Sequence, residues 1–223
     1  MNPHAQSLAA LTDALTTGEP LLAIAWVVNA HGRTRHWIGR YAGAHADGRL
    51  VGTLDDLDVA RNVGAVASVV SVARLPRVVA FDVGICTEPR DYSGSLTLLV
   101  EPVLDRSLPE AVAFMSRCHA KWSRGVLATV FGVYGNAHVR IGDRLLVDEH
   151  GICEGALAAH HLAVKLRREA RTVLRRRHAD ILSYGVPGCA VDVSLAYVPP
   201  PDDGAEATQP TVPRPPGSHA PPR

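Results

Sequence analysis

Cys153 and Glu154 stand where chemistry could be done, just after Gly151 and directly ahead of a stretch with helical periodicity. A helix N-terminus favours the thiolate of a nearby cysteine, and glycine there lets backbone N–H groups come close to an anion. Arg140 and Arg144, in the basic stretch before the turn, would add charge for the same anion. The plain alternative is a small buried thiol and a first-turn acid that satisfies free N–H groups. Cys189 and Cys86 each precede an apolar run, and Cys118 falls inside a predicted helix, where it reads as packing. No CxxC pair and no histidine at zinc-finger spacing accompanies any of the four, so a structural metal site is not expected. His160 and His161 are adjacent and diverge on a helix, whereas His31, His36 and His45 read as solvent-exposed loop residues. No nucleophile elbow, phosphate loop, HExxH or paired-cysteine redox motif occurs, so the chain does not read as an enzyme.

The elements that must position these residues repeat along the chain. At an offset of 103, Gly32, Gly39 and Gly48 fall on Gly135, Gly142 and Gly151. Ile24, Ala25, Val27, Val28 and Ile38 fall likewise on Leu127, Ala128, Val130, Phe131 and Ile141. Each copy opens on a run suited to a buried strand, LLAIAWVV and VLATVFGVY, and closes on another before proline, LTLLVEPV and VSLAYVPP. Helical stretches lie between, so each half reads as strand, helix, strand. A further helix, with Ser107 as N-cap and Glu110 completing a capping box, joins them. The expected fold is therefore α/β, two related small sheet-plus-helix subdomains packed as a pseudo-twofold pair. The divisions are 1–103 for the first subdomain with its N-terminal helix, 104–123 for the linking helix, and 124–200 for the second subdomain. Residues 201–223, rich in proline and polar residues, are expected to be a disordered tail.

Composition narrows the partners. With 23 basic and 22 acidic residues the chain carries +1, which gives no global field for nucleic acid or an anionic membrane. Charge is nevertheless uneven. Between His161 and His178 seven basic residues stand against Glu169 alone, a net +6 that leaves −5 for the rest. The apolar stripe Leu162, Leu166, Ala170, Val173 and Leu174 turns this helix to the core and its arginines to solvent, where they could meet an anionic cofactor or an acidic surface. The N-terminus lacks a basic leader and no long apolar run follows, so a cytoplasmic location with reduced thiols is expected.

Five segments carry a family resemblance. LATVFGVYGNAHVRIGDRLLVDEHG resembles the opening of XdhC/CoxI domains through Gly135, Ala137, Arg140, Gly142, Arg144 and Gly151. GICEGALAA partly matches that family's SGGCxE turn through Gly151, Cys153 and Glu154, while DGRLVGTLDDLDVA carries Asp56, Leu57 and Asp58 at the corresponding place. GICTEPRDYSGSLTLLVEPV around Cys86 and GCAVDVSLAYVPP around Cys189 resemble its CGG turn and VEP strand without the paired glycines. No GxGxxG turn of the family's Rossmann domain is present in the sequence. The resemblance implies two diverged copies of the XdhC/CoxI N-terminal domain and a chaperone that binds or delivers molybdenum cofactor during enzyme maturation. It also implies Gly135, Arg140, Gly142, Arg144, Gly151, Cys153, Glu154 and Cys189 as the cofactor-binding residues. The implied partners are the apoenzyme of a xanthine dehydrogenase- or CO dehydrogenase-type molybdenum hydroxylase and a cysteine desulfurase. Self-association as a homodimer fits the same picture. An interaction module that has lost cofactor binding, or a small sulfur-transfer protein using Cys153 or Cys189, are the alternative readings.

Overall fold

The computed structural model describes residues 3–18, 20–54, 57–84, 93–104, 108–158, 161–186 and 188–201. The expectations for the tail, for Cys86 and for a Ser107 cap lie outside these residues. Helix α1 (Pro3–Thr17) precedes strands β1 (Leu21–His31), β2 (Tyr41–His45) and β3 (Leu50–Gly52), helix α2 (Leu57–Ala73), and strands β4 (Arg77–Gly84) and β5 (Ser93–Pro102). Helix α3 (Glu110–Ala120) is followed by β6 (Gly125–Gly135), β7 (Arg144–Asp148), β8 (Cys153–Glu154), α4 (Leu162–Arg176), β9 (Asp180–Val186) and β10 (Cys189–Val198). Two antiparallel five-stranded sheets result, ordered β3-β2-β1-β5-β4 and β8-β7-β6-β10-β9. The α/β class with two sheet-plus-helix units thus holds, although each half is richer in strands than strand, helix, strand.

The opening strands are apolar through most of their length because both of their faces are covered. On β1, Ile24, Trp26 and Val28 face a central core, while Ala23, Ala25 and Val27 face a second core beneath α2. On β6, Leu127 faces the central core and Val126, Ala128 and Val130 a third core beneath α4. A bulge shifts register between Val27 and Asn29, and another opposite Val130 and Gly132. These lie at the same place in the repeat, and beyond the first of them Ala30 joins the outer core. Each covering helix docks by the same stripe, Val59, Val63, Ala67 and Val70 on α2 and Leu162, Leu166, Ala170 and Val173 on α4. Gly52 and Gly155 share positive φ, and a Cβ on either would lie 2.4 or 2.6 Å from the carbonyl oxygen of Tyr41 or Arg144. Only glycine fits there.

The repeat reaches further than the strands. Helices α1 and α3 bury Leu8, Leu11 and Leu15, and Ala111, Phe114 and Cys118, again 103 apart, in the central core. They pack on each other, with the hydroxyls of Thr12 and Ser116 3.4 Å apart. Helix α3 therefore stands to the second sheet as α1 stands to the first; its cap position is Pro109. Gly39 abuts Ala196 of the other half and Gly142 abuts Glu101, reciprocal contacts of a pseudo-twofold arrangement. Two local expectations are corrected. Helix α4 starts at Leu162, so Cys153 lies on an edge strand rather than at a helix N-terminus. His45 ends β2 and is buried, not a solvent-exposed loop residue.

Candidate functional site

Strand β8 separates its two residues. Side chains alternate across a sheet, so Cys153 points toward α4 and Glu154 toward α3. Cys153 is half-buried against the core under α4. Its sulfur accepts a hydrogen bond from Arg167 Nε at 2.9 Å, and its thiol lies 3.5 Å from the carbonyl oxygen of Gly151. Arg171, one turn further along α4, brings Nη2 to 3.9 Å from where a Cβ on Gly151 would stand. The Cys153 thiol thus lies beneath the Arg167 guanidinium, and Arg171 lies over Gly151 at the turn before it. Glu154 pairs instead with Arg117 of α3, whose guanidinium lies 5.9 Å from the centre of the Phe114 ring.

Arg144 faces the centre of the molecule. Its guanidinium grips Glu101 of the first half with two hydrogen bonds, at 3.0 and 2.5 Å, and stacks 5.2 Å from the Trp26 ring centre. Only 11% of its side chain is exposed. Gly142 makes room, since a Cβ there would lie 3.0 Å from Glu101 Oε1. Trp26 and Tyr41 complete this cluster with ring centres 5.6 Å apart, and burial raises the Tyr41 phenol well above its ordinary value. Arg140 is exposed on the loop between β6 and β7, where its N–H donates to Asp143 at 2.8 Å. Gly135 backs onto the carbonyl of Gly188, 2.1 Å from where its Cβ would be, and pairs with Cys189. Cys189 aligns with Gly135, and Cys153 aligns through Val147 with Val126, so about 27 Å of strand separates the two cysteines. Burial pushes the Cys118 thiol up to about 11, as expected of a packing residue.

The structure therefore brings Gly151 and Cys153 together and joins to them Arg167 and Arg171 of the basic α4 face, which the sequence turns to solvent and offers to an anionic cofactor or an acidic surface without linking it to this turn. Their i, i+4 spacing was the available signal; the turn they cover was not. Arg140, Arg144, Cys189 and the Glu154 side chain lie elsewhere. At the equivalent positions of α2 stand Gly64 and Ser68. There the helix leaves a cleft of about 480 Å³ against the β2–β3 turn, lined by His45, Asp47, Gly48 and Arg61 among others. Among the described residues no group of three His, Cys, Asp or Glu side chains could hold a metal, and no helix is long and apolar enough to cross a membrane.

Two like sheets, each under its own helix and sharing a central core, define an α/β protein of internally repeated construction. Residues 118–185, from the end of α3 through most of β9, match the XdhC and CoxI family. That segment contains Cys153, Arg167 and Arg171. Over 87% of its length the chain also superposes, with a TM-score of 0.55 and 16% identity, on a solved structure described as a xanthine dehydrogenase from Bacillus halodurans. It spans 53% of that longer chain, a likeness of fold. No curated protein matches the sequence.

Proposed function

We propose that this chain is an accessory protein in the maturation of a molybdenum hydroxylase of xanthine dehydrogenase or CO dehydrogenase type, and that it holds molybdenum cofactor at the β7–β8 turn. The observation that carries the reading is that the matched segment holds a half-buried thiol against Arg167 of α4, with Arg171 one turn on over Gly151. The donor set suits the group: guanidinium forks fit phosphate, and a thiol fits a soft metal. When bound, the cofactor would supply a pterin dithiolene, its molybdenum and its phosphate. Arg167 and Arg171 would hold the phosphate and Cys153 would face the metal side, while the first half serves as a second, diverged copy that shapes the core. Sulfur supplied by a cysteine desulfurase would reach the same thiol.

The test is anaerobic transfer of molybdenum cofactor from a donor enzyme, with bound pterin read by fluorescence after oxidation. Cys153→Ala and Arg167→Ala should each retain about tenfold less cofactor than the native chain, and Cys118→Ala should match it. Equal retention by all three variants would remove the proposed site. The second reading, a docking module without cofactor, is favoured by the internal use of Arg144, Gly142 and Gly135 in holding the fold. It predicts no retention by the native chain together with capture of the apo-hydroxylase.

A further inference from the structure

The free edge of the first sheet is open on both faces where its counterpart in the second is closed. Strand β3 borders β2 alone. Their ladder runs through Arg49 and Thr53, since the Arg49 carbonyl accepts from the His45 N–H at 2.9 Å and the Thr53 N–H donates to the Tyr41 carbonyl at 2.7 Å. Alternation along the strand then turns the N–H and C=O groups of Leu50 and Gly52 outward from the edge. A cleft lies on each side of it. The inner one, about 470 Å³, is lined by Ala10, Asp13 and Ala14 of α1 with Arg49 and Val51. The outer one, about 480 Å³, has Gly48, Arg61, Gly64 and Ser68 in its walls, and His45 lines both.

In the second half arginines fill both places. Arg117, at the position of Ala14, reaches Glu154, at the position of Val51. Arg167 and Arg171, at the positions of Gly64 and Ser68, cover Cys153 and Gly151. In the other direction, Arg49 and Arg61 stand where the second half has Ile152 and Val164, and both clefts are open with these two arginines in place. The same scaffold thus closes the β8 edge with side chains of its own helices and leaves the β3 edge accessible.

We infer that β3 is a docking site for an extended peptide segment of another protein, which adds a strand to the five-stranded sheet and sets its alternate side chains in the two clefts. Main-chain bonds to Leu50 and Gly52 hold the segment, and the clefts select its sequence. Charge decides the inner side chain. Arg49 is bound to Asp47 at 2.7 Å, whereas the Asp13 carboxylate makes no ion pair among the described residues, so the inner cleft takes a lysine or arginine opposite Val51. The second half shows the same placement, because there a guanidinium from the chain itself lies against the inner face of the edge strand. The outer cleft, walled by Gly48, Gly64 and Ser68 beside Arg61, takes short polar side chains. This inference is independent of whether the chain holds a cofactor.

The probe is the peptide acetyl-Val-Thr-Lys-Thr-Val-amide, whose lysine falls opposite Val51 and whose threonines fall opposite Leu50 and Gly52. Titrated into the isotope-labelled full chain, it should shift the amide signals of Leu50 and Gly52, leave those of Cys153 and Gly155 in place, and dissociate at about 0.1 mM. N-methylation of both threonines removes the donors that face the edge and should weaken binding at least about tenfold, whereas N-methylation of the lysine, whose N–H faces away, should change it less than about twofold. Asp13→Lys should lose the lysine peptide and bind the one with glutamate in its place. The double variant Gly64→Arg, Ser68→Arg takes the residues of α4 and should close the outer cleft, with binding at least about tenfold weaker and circular dichroism unchanged. Should that variant lose its fold, Ser68→Arg alone, at an exposed position, should weaken binding in the same direction. No shift of Leu50 and Gly52 at about 1 mM peptide, or equal binding of the threonine-methylated peptide, overturns the inference. Shifts of the same amides that grow with chain concentration in the absence of peptide would assign the edge to a second copy and equally overturn it.

Discussion

Arg144 shows how a residue of the right type for anion binding can find its anion inside the molecule. The family resemblance singles it out as a ligand for an external anionic cofactor, and it does grip an oxyanion through a planar fork, but the oxyanion is Glu101, 43 positions earlier in the chain. Nothing local marks that partner; only the pseudo-twofold packing of the halves brings the VEP glutamate over β7. With 11% and 22% of the two side chains exposed, the pair sits largely out of water. Removing one partner leaves a charge stranded, whereas replacing both restores a neutral interior. Arg144→Ala should therefore lower unfolding free energy by about 3 kcal/mol, at the low end for a buried pair because Glu101 keeps some contact with solvent. The double variant Arg144→Met, Glu101→Met should recover most of that loss. Urea titrations of the three proteins would decide it, and equal destabilisation by single and double variants would mean that the ion pair itself carries no weight. Cys153 was legible for a different reason: its type and neighbours were visible in the sequence, while the arginines over it depended on how α4 lies across the sheet.

At the scale of elements, both covering helices end in a strained way. Arg74 and Arg177, 103 apart, close α2 and α4 in the left-handed region, at φ of 55° and 56°, each returning its N–H to the carbonyl four residues back at 2.8 and 2.7 Å. An L-residue pays on the order of 1 kcal/mol there and glycine almost nothing. Arg177→Gly should accordingly raise stability by about 0.5–1 kcal/mol, read as a higher denaturation midpoint at unchanged slope; a lower midpoint would show that the Arg177 side chain contributes more than its backbone costs. The glycines at turns and the apolar strands were visible as a register of 103 because backbone conformation and two-sided burial leave few residue choices. The equivalence of α1 and α3 was hidden, since a helix shows only a sparse stripe and Leu11 against Phe114 or Leu15 against Cys118 scarcely look like a repeat. Strands β4 and β9 were missed for a related reason. They edge their sheets and are only partly buried, and the short run DILSYGV after a basic helix gives little periodicity to read. The closing strands drift from the register because eight residues separate β4 from β5 while only two separate β9 from β10.

For the whole molecule, the central core decides how the halves depend on each other. Leu8, Leu11 and Leu15 of α1, Trp26 of β1, Phe114 of α3, Leu127 of β6, Leu146 of β7 and Val198 of β10 all belong to one buried cluster. Neither half owns it: α1 packs on α3, Gly39 on Ala196, and Glu101 closes on Arg144. Separating the halves would expose one full face of each sheet and both inner helices, which is apolar surface that a domain of about 100 residues has no other means to cover. The chain should then unfold as one unit despite its two sheets and two outer cores. Calorimetry should give a single transition with van't Hoff and calorimetric enthalpies both near 130 kcal/mol, the value for a cooperative unit of about 190 residues. Independent halves would instead show van't Hoff enthalpies near 70 kcal/mol each. The corresponding fragments, residues 1–107 and 108–223, should be unfolded or aggregated alone and regain native circular dichroism only when refolded together. A first-half fragment that folds and melts cooperatively by itself would show that the central core is an interface between finished domains rather than the heart of a single one.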